Sequence, residues 1–391
     1  MADSPPDGQF PLPLARGRGL ESGGRLLNSL PSPPALLPQA GEGSERLGRW
    51  VLIPLTGLLL LVVVLALGIG AVAITPGQTL AILGAQVGVA LPWEFSAQQQ
   101  AVLLTIRAPR IVLGVLIGAG LAASGAALQG LFRNPLADPG LIGVSSGAAL
   151  AAVAMIVLGL PALATISGDL AIYALPVAAF GGGILATLLV GWLSHHDGRA
   201  QVATVLLAGI AINALAGAGT GLLTTLADDE QLRTLTFWSL GSLGGATWRE
   251  VVATAPLMVL ALALIAGCAR TLNALLLGDR EAGHLGFAVE RTKRVLMAAA
   301  ALAVGSAVAA AGIIGFIGLV VPHLLRLGQG PDHRFLLPGS ALLGAALLVC
   351  ADVLARTLAV PAELPIGIVT ALLGGPFFFW LLWRQRQQGV W

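Results

Sequence analysis

The sequence is short of charge: only 10% of its 391 residues are Asp, Glu, Lys or Arg, against about 25% in an ordinary soluble domain. That shortage excludes a water-soluble fold. Aromatic residues are also few, at 5%, and no block alternates polar with apolar positions, which excludes the girdled, alternating strands of a membrane β-barrel. The two cysteines, Cys268 and Cys350, fit neither a disulfide framework nor a metal site by their spacing. They read as small apolar packing residues. No GxxxxGK[ST] segment occurs, so nucleotide binding through that phosphate-cradling loop is not expected of this chain. An intramembrane hydrolase would need a His-Glu zinc motif or a nucleophile with a base, and neither pattern is found.

What is abundant is hydrophobic sequence, 56% of the chain, cut into intervals by the few charges. An unpaired Arg or Asp at the bilayer centre costs about 2.5 to 3.5 kcal/mol, so charges mark the limits of spans, each needing about 20 apolar residues. These limits predict membrane helices over 51–73, 111–132, 141–160, 170–193, 201–226, 249–268, 335–355 and 364–383. The interval from Arg294 to Arg326 is too long for one span and short for two. Within it, "GIIGFIGLVVPH" offers Gly312, Gly315, Gly318 and Pro322 as break points and predicts a tight pair of helices. The expectation is an all-α polytopic membrane protein with about ten transmembrane helices.

An even count puts both termini on one side. Placing them in the cytoplasm gives thirteen basic residues to the inner loops and leaves Arg107, Arg110, Arg233, Arg249 and Arg356 outside, in line with the positive-inside rule. Residues 1–49, rich in Pro and Gly with no sustained apolar period, read as a disordered cytoplasmic tail. Residues 50–391 form the transmembrane domain. Arg107, Arg110 and Arg356 run against the charge trend at the outer face, and guanidinium forks bind carboxylates bidentately. They read as a docking surface for an acidic partner, with headgroup anchoring, or an i,i+4 pair between Arg356 and Asp352, as the plainer alternatives.

The stretch "RNPLADPGLIGVSSGAA" breaks the chain between two apolar runs. Asn134 can cap a helix with Pro135 at its first position, and Asp138 with Pro139 offers a second start. Irregular backbone at membrane depth is tolerated only beside protein or a water-filled cavity, which puts this segment beside a translocation path. Upstream, Gly114, Gly118, Ala122 and Ala126 recur every fourth residue along one helix face, a stripe for close helix approach. Gln129 is the one polar group inside that span and needs an interhelical partner or a water-filled lumen. His195 and His196 are adjacent and read as a solvated inner loop. In "LNALLLGDREAGHLGFAVERTKR", Gly278 separates two short helical pieces. Asp279 can cap the second and Gly286 can end it.

"RAPRIVLGVLIGAGLAASGAALQGLFRNPLADPGLIGVSSGAA" resembles the signature of the permease subunits of ABC importers for iron-siderophore, haem and vitamin B12. Further matches are "FWSLGSLGGATW", "LLLGDREAGHLG", "GFIGLVVPHLLRLGQGPDHRFLLPGS" and "ADVLARTLAVPAELPIGIVTALLGGPFFFWLL". Together these five blocks cover most of residues 105–383 in the family's order. The resemblance implies a fold like the vitamin B12 importer permease, in the bacterial inner membrane. It also implies a second copy of the chain, two ATPase subunits that hold ATP and Mg, and a periplasmic substrate-binding protein. It implies no permanently bound cofactor or metal and no nucleic acid. The tail before residue 50 departs from the pattern.

Carried over position by position, the resemblance assigns binding-protein docking to Arg107, Arg110 and Arg356. It assigns ATPase coupling to the inner loop 271–293, through Leu277, Gly278, Asp279, Arg280, Ala282, Leu285 and Gly286. A cytoplasmic gate falls on Gln201, Val202, Ala203 and Thr204. The path is expected to be lined by small and apolar side chains, with Arg233 and Gln129 as candidate substrate contacts. Because "FWSLGSLGGATW" most resembles haem permeases, haem is the favoured cargo, with a ferric siderophore or cobalamin as alternatives. An ion-coupled secondary transporter would ordinarily carry a carboxylate in mid-membrane, and Asp352 beside Arg356 near a span end is a poor candidate.

Overall fold

The computed structural model describes residues 42–159, 173–196, 199–200, 202–360 and 362–387. The chain divides into two units, Met1–Glu45 and Arg46–Trp391; the description concerns the second. Among the described residues seven helices are long and apolar enough to cross a membrane, and three shorter apolar helices, Val144–Leu158, Ile317–Gly328 and Ile366–Leu381, accompany them. Seven and three make the expected ten.

In chain order the helices are α1 (Glu42–Gly68), α2 (Pro76–Gln86), α3 (Ala97–Phe132), α4 (Val144–Leu158), α5 (Ala174–Ser194), α6 (Val202–Thr225) and α7 (Asp229–Ser239). There follow α8 (Trp248–Gly267), α9 (Ala269–Leu275), α10 (Asp279–His284), α11 (Val289–Ala311), α12 (Ile317–Gln329), α13 (His333–Thr357) and α14 (Ile366–Gln387). His195–His196 and Arg199–Ala200 pair as a two-residue antiparallel ladder between α5 and α6.

Helix α3 is the axis of the bundle. Most of its residues from Pro109 to Phe132 are buried, and α13, α11, α8 and α12 pack around it. Its 36 residues rise about 54 Å, well beyond a hydrocarbon core of about 30 Å. The charges at Arg107 and Arg110 predict a start near 111, whereas the helix begins at Ala97 and passes both arginines. A π-helical turn over Val102–Arg107 interrupts it.

Small residues set close crossings of α3, at Gly118 on the expected stripe and at Gly125 off it. A Cβ on Gly118 would fall 2.4 Å from the Gly344 carbonyl oxygen of α13, and one on Gly125 would fall 1.9 Å from the Gly318 oxygen of α12. In lipid, where exclusion of water does not drive helices together, such backbone contact is what holds them. The tight pair between Arg294 and Arg326 is present as α11 and α12, broken over Gly312 to Phe316. Gly312 and Gly315 lie in the break; Gly318 and Pro322 do not, being inside α12.

Candidate functional site

Chemistry gathers at the two ends of the bundle. At the end predicted to face outward, α1 finishes at Gly68, leaving its last carbonyls without helical partners. Arg107 Nη1 donates to the Leu67 and Gly68 oxygens at 2.6 and 2.9 Å, and its Nη2 donates to Val72 O. Arg356 Nη2 donates to Ala66 O at 2.6 Å. Two guanidiniums from α3 and α13 thus cap the negative end of α1. Arg110 donates from Nε to Asp352 Oδ1 at 2.8 Å and pairs through Nη1 with Glu363 at 3.0 Å. Arg356 Nε lies 3.6 Å from Asp352 Oδ2.

These arginines are not the open cluster that the charge pattern predicts. Arg107 and Arg110 are 4% and 6% exposed, and the plainer pairing of Arg356 with Asp352 is present. The physical reason is the early start of α3, which sets both arginines inside a helix wrapped by α1 and α13. Only Glu363, whose side chain is 48% exposed, carries the network to the surface. Sequence reasoning missed Glu363; an acid placed between spans opposite an excess of outer arginine was the signal available.

At the opposite end the inner loop folds into α9 and α10 around Gly278, which has φ +122°. The expected stop at Gly286 is made by a Schellman pattern: Phe287 N–H reaches Ala282 O, Gly286 N–H reaches Gly283 O, and Ala282 and Phe287 join the core. Leu277 and Leu285 are exposed, while Ala282 is fully buried. Asp279 does not cap the helix. It is the first residue of α10, after Gly278, and its carboxylate goes instead to Lys293 at 2.7 Å and Arg133 at 3.3 Å. Arg280, Val202, Gly283, His284 and Arg291 border the same open cleft of about 1150 Å³.

Val202, Ala203 and Thr204 begin α6, and Val202 borders the same cleft as the inner loop; Gln201, the first residue of the expected gate, lies outside the described residues. The break after α3 follows the expected second start and not the first. Asn134 caps no helix; its Oδ1 accepts the Leu136 N–H in a turn. Asp138 Oδ1 accepts the Gly140 N–H and caps a 3-10 turn, Pro139–Ile142. This turn faces the break before α12, and residues from both line a crevice of about 260 Å³.

Gln129 is not a substrate contact. It is 2% exposed, accepts from Arg326 Nη1 at 2.7 Å and donates weakly to the Gly318 and Leu319 oxygens at 3.4 Å. The long amide has found the interhelical partner a buried polar group needs. Arg233 is exposed on α7, at an open cleft of about 570 Å³ with Phe237, Trp238, Ser242 and Glu250. Among the described residues no group of three or more His, Cys, Asp or Glu is placed to hold a metal ion.

The model of the FecCD transport family matches residues 58–384. The chain is 48% identical over 285 residues to the hemin transport system permease protein HmuU of Yersinia pestis, covering 73% of this chain and 84% of that one. It is 46% identical over 300 residues to the cobalamin import system permease protein BtuC of Halobacterium salinarum, with 76% and 78% covered. With the vitamin B12 import system permease protein BtuC of Escherichia coli O9:H4 the identity is 40% over 355 residues, 90% of this chain and all of that one. A solved structure, the inward-facing conformation of a metal-chelate type ABC transporter, superposes with a TM-score of 0.74 at 32% identity, covering 86% of this chain and 99% of that one. Matched along most of its spans in sequence and in fold, the chain belongs to the FecCD transport family.

Proposed function

We propose that this chain, a permease subunit of an ABC importer, carries haem from periplasm to cytoplasm across a bacterial inner membrane. It works as a pair with a second copy and is driven by two separate ATPase subunits. The observation that carries the choice of cargo is the cleft at α7. Exposed Arg233 lines it together with Phe237 and Trp238, and a cleft offering a cation and two aromatic rings suits a planar macrocycle bearing carboxylates. The 48% identity to a hemin permease supports it; the 46% identity to a cobalamin permease makes cobalamin the competing cargo.

A periplasmic binding protein docks at the outer end in this reading, above the buried Arg107, Arg110 and Arg356, and Leu277 and Leu285 of the inner loop enter a groove on each ATPase. Residues 202–204 belong to the inner constriction in the same reading. Uptake by the complete complex, measured separately with haem, a ferric siderophore and cobalamin, tests the cargo. Haem is expected to be transported, and Arg233→Ala to slow haem uptake by about tenfold, the loss of a charge-assisted contact. Uptake of cobalamin or siderophore in place of haem would overturn the assignment.

A further inference from the structure

Lys293 is the only lysine in a chain with twenty arginines, and it is buried, its side chain 6% exposed. Its Nζ lies 2.7 Å from Asp279 Oδ2 and 2.9 Å from Glu290 Oε1. Asp279 opens α10 in the inner loop, and Lys293 stands in the second turn of α11. The other Asp279 oxygen accepts from Arg133 Nη2 at 3.3 Å. Arg133 closes α3 in a left-handed conformation, φ +51°. One carboxylate therefore joins the loop helix to two different membrane helices.

The two ties are unequal. The lysine end of the first is out of water, so losing its partner leaves a buried charge with less compensation. Arg133 and Asp279 are 45% and 38% exposed, and their pair is long and open to solvent and salt. The ammonium, with three donors, meets both carboxylates at once.

We propose that Asp279 is a positioning residue that pins α10 to α11 so that the two move as one body, while the Arg133–Asp279 pair is a joint that opens and closes. The inference rests on the reading of residues 271–293 as the ATPase contact. Helix α11 carries the displacement to the far end: its last residue, Ala311, accepts the Ser242 N–H at 2.8 Å. The neighbouring Gly241 and Leu240 oxygens accept from Ile366 and Gly367 of α14 at 3.0 and 2.9 Å.

Spin labels at the exposed positions His284, Arg294 and Leu136 read the two ties, in a chain whose Cys268 and Cys350 are replaced by Ala. The sample is the complete complex of permease, ATPase and binding protein, without nucleotide and with ATP. The His284–Arg294 distance is expected to stay fixed between states while the His284–Leu136 distance shifts. Asp279→Asn is expected to broaden the first distance and lower uptake at least about tenfold, because the neutral amide cannot hold a buried ammonium. A His284–Arg294 distance that changes with nucleotide, or two fixed distances in a transporting complex, overturns the pin. A cysteine at Leu277 that forms no crosslink to the ATPase overturns the coupling reading itself, and the pin with it.

Discussion

Arg110→Glu is expected to leave little folded protein in the membrane, and so to abolish uptake without any role in docking. The substitution would bring a third carboxylate to Asp352 and Glu363 and remove the cation that holds them at 2.8 and 3.0 Å. Breaking a buried pair by removing one partner costs about 3 to 5 kcal/mol, a large part of a typical total of about 5 to 15. Glu363→Gln changes the solvent-exposed end of the same network and should cost about 1 kcal/mol or less. Thermal unfolding of the purified variants in detergent, with basal ATP hydrolysis of the assembled complex, separates the cases. An Arg110→Glu complex that assembles, hydrolyses ATP normally and has lost only uptake would make Arg110 a docking group, as its charge and place in the sequence first suggest.

The second large effect is expected from Gly125→Val. The first atom added at Gly125 would stand 1.9 Å from the Gly318 oxygen, and neither backbone can give way without parting α3 from α12. Overpacking of a yielding core costs about 1 to 3 kcal/mol; here the obstacle is main chain on both sides, and a loss at or above the top of that range is expected. Gly181→Ala is the control, since open space surrounds that glycine and alanine favours helix by about 1 kcal/mol. It should unfold no earlier than the natural chain. A Gly125→Val protein as stable as the natural one would contradict the crossing described for α3 and α12.

Much of the fold was legible because charge is so scarce. The intervals between charges located the spans, and Gly312 with Gly315 located the break between α11 and α12. The errors share one cause. Arg107 and Arg110 mark a span end only if arginine must reach water, and here the open end of α1 and the carboxylates of Asp352 and Glu363 satisfy them inside the protein. No local pattern announces partners such as Ala66 and Arg356, 290 residues apart. Gln129 illustrates the same limit: its need for a partner was readable, but its answer, Arg326, comes from a helix 197 positions away. The turn at Asp138 was readable because capping is local chemistry. Asn134 went to its own turn because the residue after it begins no helix.

In the proposed function the membrane subunit moves cargo only when joined to a nucleotide-hydrolysing partner. The most direct measurement is haem uptake into proteoliposomes holding either the purified chain alone or the chain assembled with its ATPase and binding protein. Uptake is predicted only in the assembled vesicles, only with ATP, and unaffected by collapse of ion gradients. Accumulation by the chain alone, or accumulation driven by an ion gradient without ATP, would contradict it.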